Sequence, residues 1–402
     1  MKSIKLINIG QLVTFDSKIK KMIRLKNTEV VIENSKIYEI GNNLGPADKI
    51  FDCFNMLVTP GFVDPHTHPV FFNYRDKEFN MRLQGSSYEE ISKLGGGIIN
   101  SLNDVRNASK SELVNKVMRR MDKFLELGTT TVECKSGYGQ DNESEIKSLK
   151  VIHEVNKTHQ IDMIPTFLGA HTFPSEYEDD HDGYVDLICK EMLPEIARNK
   201  LAKFNDVFCE NGYFNHAQTK KIITEGEKLG LHSRIHADEF QDSGAAKLAG
   251  ELGILSADHL MAVSDEGIKS LADASVIATL LPGTTFFLGK SKYAPYKKIK
   301  NMGIEVALAT DYNPGSCNIQ SMPFIITLSC IHFKMDILDA IKSSTYISAK
   351  SLMLEDKVGS IEKGKKADII VWELSKPEEI PYHFLVNSIR SVIKNGKIVF
   401  TA

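Results

Sequence analysis

A series of apolar runs between residues 62 and 316, each ending in a polar or turn residue, constrains the possible folds most. The runs read FVDPHTH, TTTVECKSGYG, MIPTFLGAH, DVFCENGYF, SRIHADEF, SADHL, VIATLLPGT and VALATDYNPGS. After the first run, the polar or turn residues at the ends recur every 23 to 39 positions. Eight βα units at this spacing predict a closed (β/α)8 barrel of the TIM type, whose functional residues lie at the carboxyl ends of the strands.

The segments between these runs have a helical period. One face of residues 109–128 carries Leu113, Val117, Met121 and Leu125. Because β-type runs alternate with helical segments, the sequence predicts an α/β protein with a parallel sheet. The stretch 69–108 is too long for a simple connection, and SSYEEISKLGGGI within it predicts a lid or substrate loop.

The two ends of the chain differ from the middle. Residues 1–58 and 358–402 both contain short β-type runs separated by turns and lack a long helical segment. We expect the two ends to form one discontinuous β-sandwich domain, with an antiparallel unit at its N-terminal end. The predicted domains are therefore 1–58 with 358–402, and a barrel over 59–357.

Composition excludes several classes of protein. The net charge of −3 comes without a long basic run, which argues against a nucleic-acid partner. No stretch reaches 18 uninterrupted apolar residues, and the N-terminus has no secretory signal, so we expect no membrane association. The 6 cysteines are scattered without a CxxC pair, which suits a reducing cytoplasm rather than a disulfide scaffold.

The predicted strand ends bring metal-binding residue types together. His66 and His68 follow the first run and are separated by one residue, so both side chains can reach one ion. His236 ends the fifth run and Asp311 ends the eighth. Three imidazoles and a carboxylate predict a site for zinc or iron, with an open position for water.

Each of these residues also has an ordinary structural interpretation. His236 alone is compatible with a hydrogen-bonded interior histidine, Asp311 with a helix cap, and His259 with a contact to a neighbouring loop. Their occurrence at strand ends on one predicted face of the barrel favours a functional site.

The chain resembles the amidohydrolase superfamily and, within it, the imidazolonepropionase family. The superfamily features are the HxH after strand one, the histidines on strands five and six, the aspartate on strand eight and the terminal GSIEKGKKADIIVW. The closer resemblance rests on PGFVDPHTHPVF, EFNMRLQGSSYEEI, TTTVECKSGYG, TFLGAHTFPSEY, HADEF, SADHL and ATDYNPGS, which cover nearly the whole barrel in order.

The resemblance implies a hydrolase of histidine degradation. It implies that water opens the ring of 4-imidazolone-5-propanoate at a cyclic amide bond, giving N-formimidoyl-L-glutamate. The implied cofactor is one Zn2+ or Fe2+/Fe3+ per chain, because VFCENGYF on strand four lacks the lysine that bridges two metals in relatives. A homodimer is also implied.

The resemblance assigns further residues. The implied metal ligands are His66, His68, His236 and Asp311. The implied acid–base groups are His259, Asp311 and Glu239, with the division of roles left open. The implied substrate-binding residues are Arg75 as a clamp for the carboxylate, Tyr138, His171, Glu239, Asn313, Gly315 and Ser316, with Tyr88 as a further candidate.

Two other functions are compatible with parts of this pattern. A cytosine or guanine deaminase uses a similar metal site, but a neutral base needs no carboxylate clamp such as Arg75, and deamination releases ammonia. A non-catalytic barrel used for assembly or binding has no need to keep all four metal ligands.

Overall fold

The computed structural model of the chain describes residues 3–86, 90–91 and 96–402. Its central unit is a parallel sheet whose strands pair in chain order, each with the next. The strands of this sheet are β8 Phe62–Asp64, β9 Thr129–Lys135, β10 Asp162–Ala170, β11 Phe204–Cys209, β12 His232–Ala237, β13 Ser256–His259, β14 Ile277–Leu280 and β15 Val306–Leu308. They coincide with the apolar runs, which confirms the predicted barrel.

The barrel closes between its first and last strands. A parallel bridge joins Thr67 to Tyr312, just beyond the ends of β8 and β15. The His68 backbone amide donates to the Tyr312 carbonyl at 2.8 Å, and the Asp311 amide donates to the His66 carbonyl at 3.1 Å. The closure therefore brings both predicted metal-binding segments to the same edge.

Helices lie outside the barrel, and most of them cover the outer faces of its strands. They are α1 Asp76–Leu83, α2 Ile98–Asn107, α3 Lys110–Glu126, α4 Asn142–Thr158, α5 His181–Leu187, α6 Leu193–Arg198, α7 His216–Lys228, α8 Ala245–Leu252, α9 Asp265–Asp273, α10 Pro282–Phe287, α11 Tyr296–Asn301, α12 Met322–Leu328, α13 Ile337–Ser343, α14 Tyr346–Ser351 and α15 Glu379–Tyr382. Short π-helical turns at Ile188–Met192 and Ser329–Phe333 and a 3-10 turn at Ser175–Tyr177 complete the set in the described ranges.

Helix α3 illustrates how the sequence determines these elements. Ser109 caps its first turn, and Ser109 and Glu112 form a reciprocal capping box. The apolar face predicted from the sequence is buried against the barrel, and Met121 is fully inaccessible. Burial of such a face, rather than intrinsic propensity, supplies most of the stability of a helix.

The stretch 69–108, predicted to be a lid or substrate loop, contains helices α1 and α2. Residues 87–89 and 92–95, including the candidate Tyr88, lie outside the described residues. The described part contributes Arg75, Glu78 and Arg82 to the wall of the central cavity. The segment thus covers one side of the carboxyl-terminal edge of the barrel.

Both ends of the chain form the second unit, as predicted. Its strands are β1 Ile4–Ile9, β2 Gln11–Asp16, β3 Lys21–Leu25, β4 Thr28–Glu33, β5 Lys36–Gly41, β6 Lys49–Asp52, β7 Leu57–Pro60, β16 Ile369–Trp372, β17 Ile389–Lys394 and β18 Lys397–Thr401. They form sheets of order β5-β4-β1-β6 and β18-β17-β16-β7-β2-β3. A separate apolar cluster that includes Leu6, Val30, Val58 and Ile369 packs between these sheets.

The prediction of an antiparallel N-terminal unit was wrong for two strand pairs. Strand β1 pairs with β6 in parallel, and β2 pairs with β7 in parallel. The antiparallel pairs β2–β3 and β4–β5 are joined by tight turns. The parallel pairs join strands that are distant in sequence, so local turn signals do not reveal their direction.

Candidate active site

His66 and His68 leave the end of strand β8 and point toward each other at the mouth of the barrel. Their Nε2 atoms are 3.2 Å apart, and both side chains are buried. Two ring nitrogens at this separation cannot both carry a proton without repulsion. The arrangement instead suits two lone pairs directed at a shared cation.

Asp311 follows strand β15 and faces the same point. Its Oδ1 lies 3.6 Å from His66 Nε2 and 3.5 Å from His68 Nε2, while its Oδ2 accepts a hydrogen bond from Thr284 Oγ1 at 2.5 Å. Burial raises the pKa of the Asp311 carboxyl above its usual value. A bound cation would favour the ionised form of the Asp311 carboxyl group. The two imidazoles and the Asp311 oxygen therefore suit a metal ion as their common partner.

His236, near the end of strand β12, supplies a third imidazole. Its ring centroid is 4.5 Å from that of His66. Its Nδ1 lies 3.1 Å from Asp206 Oδ1, whereas its buried Nε2 has no hydrogen-bond partner among the described residues. A buried nitrogen without a partner is costly unless a ligand completes it.

Among the described residues, the ring nitrogens of the histidines and the Asp311 carboxylate form two overlapping groups that can each hold a metal ion. One contains His66, His68 and Asp311, and the other contains His66, His236 and His259; within each group the ligand atoms lie within 4.8 Å of one another. Imidazole and carboxylate ligands suit zinc or iron. The four residues predicted as ligands therefore converge, and His259 joins them at the edge of the cluster.

His259 and Glu239 lie beside the cluster. His259 Nε2 is 3.6 Å from Glu239 Oε2. Burial lowers the pKa of His259 to about 3, so the ring is neutral at pH 7. Burial, together with the negative charge of Asp311, raises the pKa of Glu239 to about 8, so this carboxyl group is mostly protonated at pH 7.

Arg75 lies at the start of α1 with its side chain buried. Its Nε and Nη1 have no hydrogen-bond partner among the described residues, although Glu78 Oε2 is 3.7 Å from Nε. A Cβ atom on Gly315 would lie only 1.3 Å from Arg75 Nη2. The missing side chain at position 315 therefore makes the space in which the guanidinium group lies.

Asn313 organises the loop that contains Gly315 and Ser316. Its Oδ1 accepts hydrogen bonds from the backbone amides of Gly315 at 2.8 Å and Ser316 at 2.7 Å. Its Nδ2 donates to the Asp311 carbonyl at 2.7 Å and to Ser316 Oγ at 2.8 Å. Since the amide is used within the loop, Asn313 shapes the loop around the Arg75 guanidinium.

Tyr138 and His171 form another part of the cavity wall. His171 Nδ1 lies 2.9 Å from the Gly137 carbonyl and donates to it. The His171 ring stacks on His68, with centroids 5.3 Å apart and planes inclined by 19°. The Tyr138 ring centroid lies 5.3 Å from that of His171. This contact chain connects the carboxyl end of β10 to the metal-binding cluster.

The predicted substrate and catalytic residues border one cavity of about 600 Å3. The wall contains His68, Arg75, Tyr138, His171, His236, Glu239, His259, Asp311, Asn313, Gly315 and Ser316. Arg75 therefore borders the same cavity as His68, His236, His259 and Asp311 of the cluster. The cavity is large enough for a small organic substrate.

Four charged residues beneath the cluster were missed by the sequence analysis. Lys135, Asp206, Arg234 and Asp258 are fully buried within the barrel. Burial opposes ionisation of the Asp206 carboxyl group, but its interactions with His236 and Lys135 outweigh burial and hold its pKa well below the usual value. The available signal was a charged residue inside an otherwise apolar run, as in NDVFC and SRIHA.

Comparison with known proteins extends over nearly the whole chain. The amidohydrolase family matches residues 57–399. Imidazolonepropionase from Fusobacterium nucleatum is 44% identical over 407 aligned positions, covering 98% of both chains. Imidazolonepropionase from Clostridium tetani is 42% identical and covers 98% of this chain and 97% of its own.

The chain belongs to the imidazolonepropionase family. An imidazolonepropionase from Alkaliphilus metalliredigens agrees with this placement, at 42% identity over 94% of this chain and 89% of its own. Such coverage includes the barrel and both parts of the small domain. Family membership therefore favours the first of the functions considered above over a deaminase or a non-catalytic barrel.

Solved structures support the fold of this imidazolonepropionase family member. Triazine hydrolase from Arthrobacter aurescens superposes with a TM-score of 0.78 at 17% identity, covering 100% of this chain and 95% of its own. An adenosine deaminase from Xanthomonas campestris with bound zinc gives a TM-score of 0.75 at 16% identity, covering 99% and 92%. At these identities the likeness concerns the fold alone.

Proposed function

We propose that this chain is a metal-dependent hydrolase that opens the ring of 4-imidazolone-5-propanoate at its cyclic amide bond and yields N-formimidoyl-L-glutamate. Membership of the imidazolonepropionase family supports this reaction. The observation that carries it is the presence of a metal-binding cluster and a buried arginine in one cavity. The metal-binding cluster fits a reaction with water, and the buried arginine fits a substrate with a carboxylate.

His66, His68, His236 and Asp311 would hold one zinc or iron ion. Such an ion lowers the pKa of a water molecule from about 15.7 toward 7, which supplies a nucleophile at neutral pH. Lys135, the lysine buried beneath the cluster, is already paired with Glu133 and Asp206 at 2.9 and 2.7 Å. This pairing supports one metal per chain rather than two.

The reaction also requires a proton transfer, which the acid–base groups beside the metal site would carry out. Water adds its oxygen to the ring carbonyl carbon, the adjacent C–N bond breaks, and the departing nitrogen takes a proton. We assign the transfer of that proton to Asp311 and His259, because both border the cluster and His259 is neutral. Glu239 holds a proton near pH 7, and we assign it as a further acid that shares this proton with a ring nitrogen of the substrate.

Arg75 is proposed to bind the propanoate arm, with Tyr138 and the Asn313–Ser316 loop beside it. A planar guanidinium offers a carboxylate two parallel hydrogen bonds. The buried Nε and Nη1 atoms without hydrogen-bond partners among the described residues support this role. His171 faces the ring of the substrate from the wall that it shares with Tyr138.

The reaction is tested by incubating the purified chain with 4-imidazolone-5-propanoate and following the loss of its ultraviolet absorbance. We expect metal-dependent loss with formation of N-formimidoyl-L-glutamate and without release of ammonia. Release of one ammonia per turnover identifies a deaminase instead. No reaction of the metal-loaded chain with this substrate contradicts the proposal.

Arg75→Ala is expected to lower kcat/KM by roughly 10- to 100-fold. A charge-assisted hydrogen bond contributes ~1.5–3 kcal/mol, and each 1.4 kcal/mol corresponds to about tenfold. Arg75→Lys should recover only part of the loss, since an ammonium group lacks the paired geometry. Gly315→Ala should cause a similar loss, because the new Cβ would lie 1.3 Å from Nη2 and displace the guanidinium.

Steady-state kinetics and thermal melting separate this role from a structural one. Arg119→Ala, at an exposed arginine on α3, is the matched control and should leave both unchanged. With a substrate analogue that lacks the carboxylate, wild type and Arg75→Ala should react equally poorly. Wild-type kcat/KM for Arg75→Ala on the full substrate would mean that the clamp lies elsewhere.

A homodimer is proposed as the assembly, as the family resemblance implies. Three neighbouring apolar side chains support an apolar contact surface: Tyr382 is 79% exposed, Leu385 86% and Val386 64%. Contiguous exposed apolar surface marks interaction sites. Sedimentation analysis should give twice the chain mass, and Leu385→Asp should shift it toward the monomer. A monomeric wild type contradicts the proposal, and a dimeric Leu385→Asp contradicts this choice of surface.

A further inference from the structure

Beneath the metal-binding imidazoles, the interior of the barrel contains charged side chains that the proposed mechanism does not use. Lys135, Asp206, Arg234 and Asp258 come from four different strands or strand ends, and each has 0% exposed surface. Buried charges are costly unless they are paired and hydrogen-bonded. Apolar residues of similar size would fill this space at lower cost, so the charges call for a functional reason.

The first ion pair, Lys135 with Asp206, also contacts His236 through the aspartate. Lys135 Nζ lies 2.7 Å from Asp206 Oδ2. The other oxygen of the same carboxylate, Oδ1, lies 3.1 Å from His236 Nδ1. An ionised carboxylate can only accept hydrogen bonds, so His236 donates through Nδ1 and its Nε2 is left with a lone pair.

The second pair repeats this arrangement with different residues. Arg234 Nη2 lies 3.0 Å from Asp258 Oδ2, and His66 Nδ1 lies 2.7 Å from the same oxygen. Arg234 is itself fixed by the carbonyls of Ser351 at 2.9 Å and Pro65 at 3.1 Å. His66 therefore also donates through Nδ1 and presents Nε2 to the cluster.

His68 provides an internal contrast. Its Nδ1 is buried without a hydrogen-bond partner in the described part of the chain, and its ring is held by stacking on His171. Two of the three imidazoles thus have a carboxylate behind them, and each of those carboxylates has its own buried cation. This repetition on independent strands points to a shared purpose.

We propose that Asp206 and Asp258 are positioning residues that keep the proton of His236 and His66 on Nδ1, so that Nε2 of each ring faces the metal. Lys135 and Arg234 hold the two carboxylates in place. The inference rests on the proposed metal site. Carboxylates behind metal-binding histidines fix the tautomer and orientation of the ring and affect metal affinity by about 10- to 100-fold.

Asp206→Asn tests the proposal. The Lys135 ammonium group can only donate, so the amide oxygen turns to Lys135 and the amide NH2 turns to His236 Nδ1. That contact favours the tautomer with the proton on Nε2, which cannot bind a metal. We expect the zinc dissociation constant, measured by competition with a chromogenic chelator, to rise by about 10- to 100-fold.

A second substitution distinguishes tautomer control from loss of structure. In Asp206→Asn with Lys135→Met, the amide oxygen is free to accept from His236 Nδ1. The double variant should therefore bind zinc more tightly than Asp206→Asn alone. A purely structural role predicts the opposite order, because the double variant removes a further buried contact. Nitrogen-15 spectra of metal-free, histidine-labelled protein report the tautomer directly.

Asp258→Asn tests the arrangement of Arg234, Asp258 and His66 in the same way. It also provides the test if Asp206→Asn does not fold. Asp368→Asn is the control: Asp368 is also buried and accepts from a buried lysine, Lys394, at 2.7 Å, but it belongs to the small domain. Its zinc dissociation constant should stay within about twofold of the wild-type value, far below the 10- to 100-fold increase expected for the test variants. If wild type binds no zinc, the proposed metal site is wrong. If wild type binds zinc and both test variants bind it equally well, only this inference is overturned.

Discussion

His236→Ala is expected to abolish turnover while the barrel remains folded. The His236 Nε2 atom faces the cluster of His66, His68 and Asp311, and its removal leaves an incomplete ligand set. Without a properly held ion, no group in the cavity lowers the pKa of water enough to attack an amide at neutral pH. His66→Ala should have the same effect. Elemental analysis, circular dichroism and the ultraviolet assay measure metal, fold and activity separately.

The stability of the fold in this variant follows from where the core lies. The main apolar cluster packs between strands and helices around the barrel, and the imidazoles are not part of it. His232→Ala is a matched control, since His232 lies at the opposite, exposed end of the same strand β12. This control should retain metal and full activity, whereas His236→Ala should retain neither.

Metal analysis also examines the number of ions. We expect about one zinc or iron per chain in the wild type, with loss of activity on chelation and recovery when metal returns. Two ions per chain would contradict the single site, and a fully active metal-free enzyme would contradict the mechanism. The pairing of Lys135 with Glu133 and Asp206 is the structural reason to expect one ion.

The barrel was predictable because its signals are local. Each apolar run is a buried strand, and the alternation with amphipathic helices such as α3 determines the order of the units. The proximity of the proposed ligands was predictable for a related reason. Carboxyl ends of barrel strands meet on one face, so His66, His236 and Asp311 had to come close once the runs were recognised as strands.

The charged residues beneath the cluster were not predictable in the same way. Whether Asp206 or Asp258 faces the barrel interior or a helix depends on the phase of a short strand. The pairing of Lys135 on β9 with Asp206 on β11 crosses the interior and leaves no local pattern. The same limit explains the parallel pairing of β1 with β6, where direction depends on strands distant in the chain.

His259→Asn and Glu239→Gln are expected to lower kcat by ~10²-fold or more without loss of metal, the usual scale for acid–base groups. Burial lowers the pKa of His259 to about 3, so its ring is neutral at pH 7 and presents a ring nitrogen to a proton in transit, which asparagine lacks. Glu239 has a pKa of about 8 and holds a proton near pH 7. Glutamine keeps the hydrogen-bond donor at position 239 but removes the exchangeable acid.

The metal content of the His259 variant decides between two roles for this residue. His259 lies in one of the two groups able to hold an ion, together with His66 and His236, and it also lies 3.6 Å from Glu239. If it exchanges protons, His259→Asn retains one ion per chain and loses kcat with KM nearly unchanged. If it is a ligand, the variant loses metal and activity together, and added zinc restores both in part. Asp242→Asn, in the exposed loop after Glu239, is the control and should match wild type in metal content and kcat.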